Sequence, residues 1–161
     1  AAGIRNFVAL HHATFERKDL YAKNMAYFNR LISTLVALNH GAIFFAEYQG
    51  IRLATILLIY FGKRATYFFG GSPSAHRNTM APYVLHFEAM RKAKRLGCEE
   101  YDFYGVAPAD QADHPWAKVS TFKRKFGGYE QHFIRPADTI FDAEGYSEYL
   151  RERKARREKK Q

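Results

Sequence analysis

A run of aromatic and basic residues, Phe122-Lys123-Arg124-Lys125-Phe126-Gly127-Gly128, is the stretch of this chain best equipped for chemistry. A cation held in one place stabilises negative charge that develops on an oxygen, and it can contact phosphate. A neighbouring ring can pack against a flat ligand or against the cation itself. Spacing alone favours a plainer reading: a basic amphipathic helix with Phe122 and Phe126 in the core and Lys123, Arg124 and Lys125 in water.

Other chemistries find less support. His11, His12, His76, His86, His114 and His132 are scattered without metal-ligand spacing, apart from the weak pair His11-His12, so no metal and no cofactor is expected. Neither a Gly-x-Ser-x-Gly elbow nor a phosphate-binding Walker loop is present. Cys98 follows Leu96-Gly97, where a helix hands over to a strand, and reads as a small core residue. Asp102 is a tempting general base, yet carboxylates on strands more often hold a loop by hydrogen bonds. The loop Gly70-Gly71-Ser72-Pro73-Ser74-Ala75-His76-Arg77-Asn78-Thr79-Met80-Ala81 has its glycines at the strand end rather than at the helix start. It lacks the Arg/Gln-x-x-Gly-x-Gly/Ala pattern that lets backbone N–H groups receive a pyrophosphate, which disfavours coenzyme A.

The elements that must position these residues follow from periodicity. Lys18 to Leu38 predicts a helix, with Leu20, Met25, Phe28, Leu31, Ile32 and Leu35 on its apolar side and Gly41 placed as a left-handed cap. Ala42–Tyr48, Ile51–Tyr60 and Ala65–Phe69 predict three strands, with Gln49-Gly50 and Gly62-Lys63 as turns, hence an antiparallel meander. The middle run is apolar at successive positions, as suits a central strand covered on both faces. A helix from Pro82 to Leu96 follows, then a strand Glu99–Tyr104, a short helix Trp116–Lys125 and a last strand Gly128–Ile134. The stretch from Ala143 predicts a helix. This order defines an α+β domain with helices packed on a mixed central sheet.

Composition is consistent with one globular domain: 47% hydrophobic and 25% charged residues, with a single cysteine that rules out an internal disulfide. Aromatics reach 16%, enough to fill a core and to line a cleft. The formal charge is +9, and residues 151–161 hold seven bases against two acids, so much of the excess lies in a C-terminal tail. That tail reads as a solvated helix end or as a surface attracting RNA phosphates or anionic lipid headgroups. No signal peptide or membrane-spanning run is visible, so a cytoplasmic protein is expected, with work at the inner membrane face left open.

Several motifs together carry a resemblance. Tyr101-Asp102-Phe103-Tyr104-Gly105-Val106, then Asp113-His114-Pro115-Trp116, then Phe122 to Gly128 resemble the Fem family of peptidoglycan-bridge aminoacyltransferases (FemA, FemB, FemX). Upstream, Tyr67-Phe68-Phe69-Gly70-Gly71-Ser72 is similar to the family's aromatic-glycine-glycine-serine strand end, and His12 to Arg17 to the segment opening its second domain. The pieces keep the family's order from about Thr14 to Asp142. The resemblance implies the acyltransferase fold shared with the GCN5-related N-acetyltransferases. It implies two such domains in a full-length member, this chain matching the second, which leaves a fragment, a split subunit completed by a partner chain, or a shortened relative.

It also implies the chemistry: transfer of an amino acid from aminoacyl-tRNA to the stem peptide of a UDP-linked or lipid-linked muramyl peptide. Phe122 and Lys123 fall at the expected reaction centre, and Arg17 and Tyr21 where the family holds the sugar diphosphate. Tyr67 and Phe69, alternating onto one strand face, are expected in the peptide cleft or in the core, with Ser72 and Tyr104 at the ends of the matching motifs as further substrate contacts. Residues 1–142 are expected to form the acyltransferase-like domain and 143–161 a basic helix or tail. Two other readings stay open: a non-catalytic RNA- or membrane-docking half of a split transferase, and an acetyltransferase using coenzyme A.

Overall fold

A computed structural model describes residues 2–17, 22–74, 76–134 and 137–158. The chain divides into two compact units, Ala1–Phe126 and Gly127–Gln161. The first opens with α1 (Ala2–Glu16) and α2 (Met25–Ala37), followed by β1 (Gly41–Tyr48), β2 (Ile51–Phe61) and β3 (Arg64–Gly71). After a 3-10 turn at Arg77–Thr79 come α3 (Ala81–Arg95), β4 (Glu100–Asp102) and α4 (Ala117–Arg124). The second unit contains α5 (Ala143–Glu158).

The sheet order is β1-β2-β3-β4. The first three strands form the expected antiparallel meander, and β4 lies parallel to β3 after the α3 crossover. Residues Leu53 to Leu58 are all buried, as a strand covered on both faces requires. Ile56 and Leu58 pack with Ala81, Leu85 and Ala89 of α3. Leu57 faces the other way, into Phe7 and Val8 of α1 and Phe28 and Ile32 of α2. Burial of side chains of this size contributes about 1.5–3 kcal/mol each. Helices therefore cover both faces of a mixed sheet. Among the described residues, no helix is long and apolar enough to cross a membrane.

Within the expected helix Lys18–Leu38 only α2 forms among the described residues, and a further helix comes before it. α2 starts only at Met25, where the Asn24 side chain accepts from Tyr27 N at 2.9 Å and stops the helix extending backwards. α1 precedes it, with Phe7, Val8, His11 and Thr14 inward at i, i+1, i+4 and i+7. The left-handed residue after α2 is Asn39 (φ 55), not Gly41. Gly41 is needed for space instead, since a Cβ there would lie 2.8 Å from Leu58 O and 2.9 Å from Leu35 Cβ. Gly128–Ile134 forms no strand: Tyr129, Phe133 and Ile134 are 83%, 74% and 95% exposed, and strand-forming side chains without a paired neighbour do not make a sheet.

Candidate active site

β3 sets the geometry. Its register against β2 shifts between Leu57 and Leu58, which pair with Phe69 and Tyr67 respectively, so Phe68 is the extra residue of a bulge. Two residues apart on a regular strand would share a face; across the bulge they do not. Tyr67 packs on the α3 side, its ring 4.6 Å from that of His86, while Phe69 packs into the α1–α2 side against Phe28 (5.2 Å) and His11 (5.4 Å). The expectation that Tyr67 and Phe69 line one face is thereby corrected, and Phe69 belongs to the core opposite the site.

The strand ends on two glycines forced by close approach. A Cβ at Gly70 would meet the Tyr67 hydroxyl at 2.5 Å, and one at Gly71 would meet Leu10 O at 2.5 Å and His11 Cα at 2.8 Å. α1 thus lies directly on the end of β3. Thr14 Oγ1 accepts from Ser72 N at 2.8 Å, and Arg17 at the helix end donates through Nη1 to Ser72 O (3.1 Å) and Ser74 Oγ (3.0 Å). Arg17 and Ser72 are therefore brought together; Tyr21 lies outside the described residues.

α4 is clasped to the loop that follows β4. Buried Ser120 accepts from Ala107 N at 2.8 Å and donates to Trp116 O at 2.7 Å. Arg124 Nη2 donates to Ala107 O, and Lys123 Nζ to Gly105 O, each at 2.7 Å. Tyr104, in the left-handed region at φ 64, donates its N–H to Asp102 Oδ1 at 2.7 Å. Asp102 therefore holds the loop, as carboxylates on strands commonly do. The Tyr104 ring is exposed and sits edge-on to Phe68 at 5.8 Å.

These ties fix the two residues singled out by type. Lys123 turns inward: half-buried, its Nζ stands 5.9 Å from the centroid of the Tyr67 ring. Burial lowers its pKa to about 8, against the nearby Asp102 carboxylate, which favours the charged form. Phe122 packs edge-on to Tyr83 at 5.0 Å and to Phe126 at 5.2 Å.

Beneath them is a residue that sequence reasoning passed over. His86 of α3 is 1% exposed. Its Nδ1 lies 2.8 Å from the Tyr101 hydroxyl, and the rings of Tyr67, Phe103, Phe122 and Phe126 surround it at 4.6–5.7 Å. Burial first, and Lys123 second, push its pKa down to about 4, so it is neutral at physiological pH. The same dryness pushes the Tyr67 phenol up to about 12. The available signal was helical spacing: His86 stands next to Leu85 and three residues before Ala89, on the face of α3 that must turn inward.

A cleft of about 390 Å³ opens beside this box, with Phe122, Tyr83, Met80, Ser72 and Lys118 on its walls. Lys123 is not on the wall itself; its neighbour Phe122 is. The structure thus assembles Lys123, Phe122 and Tyr67 around one aromatic box, with Tyr104 at the end of the clasped loop. Among the described residues no group of three or more His, Cys, Asp or Glu side chains is placed to hold a metal ion.

The FemAB family model matches residues 36–135. The lipid II:glycine glycyltransferase of Staphylococcus saprophyticus subsp. saprophyticus is 31% identical over 98 residues, 61% of this chain and 24% of that protein. The UDP-N-acetylmuramoylpentapeptide-lysine N(6)-alanyltransferase of Weissella viridescens is 24% identical over 153 residues, 94% of this chain and 44% of that protein. The chain thus spans less than half the length of these relatives. Among solved structures, FemX superposes with a TM-score of 0.72 at 17% identity, covering 80% of this chain and 48% of its own. An aminoglycoside antibiotic 6'-N-acetyltransferase from Acinetobacter haemolyticus superposes at 0.62 with 17% identity, covering 88% of this chain and 94% of its own. These superpositions show a fold of the GCN5-related acetyltransferase type.

Proposed function

This chain belongs to the FemAB family, and on that premise we propose that it is part of an aminoacyltransferase that builds peptidoglycan bridges. In this reading an amino acid passes from aminoacyl-tRNA to an amine on the stem peptide of a nucleotide- or lipid-linked muramyl peptide. The names of the glycyl- and alanyltransferase relatives support the class of reaction and of acceptor. The observation that carries the reading is the inward-turned, partly desolvated ammonium of Lys123, fixed by Gly105 O and flanked by the aromatic wall of a cleft.

The chemistry asks little else of the protein. The acceptor nitrogen attacks the ester carbonyl carbon, and the carbonyl electrons move onto oxygen. When the tetrahedral intermediate collapses, the bond to the ribose oxygen breaks, and that oxygen takes the proton shed by the attacking nitrogen. Lys123, protonated throughout, stabilises the transient oxyanion. Phe122, braced by the edge of Tyr83, packs the terminal adenosine in the cleft. Tyr67 supports the ammonium from its ring face, and Ser72 and Tyr104 border the bound substrates. Arg17 offers a guanidinium to the acceptor's phosphates. Phe69, half-buried on the far face, has no part in this scheme.

Lys123→Ala in the full-length protein is expected to lower the single-turnover transfer rate by about a hundredfold or more, the scale of losing one oxyanion donor, with the fold retained by circular dichroism. Because the protonated form is the active one and its pKa lies at about 8, the wild-type rate should also bend downward above that pH. Near-normal turnover in the variant refutes the role.

A further inference from the structure

α5 needs an explanation that packing does not supply. From Ala143 to Arg156 every position is exposed except Tyr146, which is half-buried. The helix starts firmly, with Asp142 Oδ1 accepting from Glu144 N at 3.1 Å and Gly145 N at 3.0 Å. Its side chains are sorted around the axis. Glu144, Glu148 and Glu152 recur at i, i+4 and i+8 along one side, whereas Tyr149, Arg153 and Arg156 recur at i, i+4 and i+7 along another; Lys154 lies about 100° round the helix from Arg153. The rings of Tyr146 and Tyr149 stand 6.2 Å apart. Arg153 follows Tyr146 by seven residues and Tyr149 by four, which places it on the side of these rings, where the Tyr146 hydroxyl donates to Asp138 Oδ2. Glu152 pairs with Arg156 at 2.9 Å, but no acid lies within Arg153 to Arg157, where four of five residues are basic.

We propose that this face of α5 is an RNA-binding surface that grips the donor tRNA by its phosphate backbone. Arginine and lysine supply phosphate contacts and tyrosine a stacking platform. A membrane-surface helix sets its basic face against a broad apolar one rich in leucine, phenylalanine and tryptophan. α5 has one leucine, Leu150, and neither of the others. The identity of the RNA rests on the tRNA-donor reading above; the surface itself rests on α5 alone.

The test is fluorescence anisotropy of labelled, deacylated tRNA with the purified protein, titrated at several salt concentrations. In a variant combining Arg153→Ala, Lys154→Ala and Arg156→Ala, affinity at about 0.1 M salt should fall at least about tenfold, and the slope of log affinity against log salt should become shallower by about two to three. Alanine favours helix, so α5 should persist by circular dichroism. Tyr149→Ala should weaken binding with the slope unchanged. Equal affinity and slope in the triple variant overturn the inference and leave the donor reading standing. Loss of sedimentation with phosphatidylglycerol vesicles alongside intact tRNA binding assigns the face to membrane and also overturns it. A wild-type protein that binds no tRNA removes the inference and the donor reading together.

Discussion

Lys123 and His86 share one small dry space, and each surrenders part of its affinity for protons to it. Burial lowers the pKa of both, and each positive charge would oppose the other, as the effect of Lys123 on His86 records. For His86 the consequence is measurable in stability. Its pKa of about 4 in the fold lies below the ordinary value of 6.5. The unfolded chain therefore takes up the proton first as pH falls, and stability declines from about pH 6.5 down to 4. Urea unfolding should show about 2 kcal/mol lost to this one group between pH 7.5 and 5. His86→Leu should remove that share of the loss; an identical pH dependence in the variant would contradict the assignment. Buried His11, whose pKa burial also lowers, adds a contribution of the same sign that the variant retains. At this scale the basic-aromatic run drew attention to Lys123 and Phe122, which the fold places at the aromatic box. His86 was not legible, since one imidazole among scattered histidines gives no hint of the five rings that enclose it.

Among the elements, the meander was read almost to the residue because its turns are punctuated: Gln49 and Gly50 have φ of 50 and 78, and Gly62 has 56. α1 escaped because its inward positions include His11 and Thr14, which interrupt an apolar stripe while each making a hydrogen bond to the β3 end. The bulge at Phe68 could not be read, since nothing in the alternation of aromatics marks which residue is extra. What α1 does for the site is hold Gly71. In Gly71→Ala the new methyl would press on the backbone of α1 at Leu10 and His11. Overpacking of this kind costs about 1–3 kcal/mol, so the thermal midpoint should drop by several degrees in calorimetry. Gly3→Ala, where nothing lies within 4 Å, should leave it unchanged or raise it.

At the scale of the whole molecule, the α+β class followed from element order and the cover on both sheet faces from the apolar run of β2, whereas the role of residues 127–142 did not follow from either. Strand-like composition there met no partner strand. Brief chymotrypsin treatment should cut first at Tyr129, Phe133 or Phe141, which are 83%, 74% and 95% exposed and lie outside any helix or strand. Mass spectrometry would identify an N-terminal product ending in that stretch, and early cleavage within β1 to β3 instead would count against two compact units. The extra residue in β3 carries a different consequence. Because the extra residue sends Tyr67 and Phe69 into different interiors, this segment can change its letters but not its count. Any relative one residue shorter or longer here would have to turn either the support under the ammonium or the ring that plugs the opposite core out into the wrong layer.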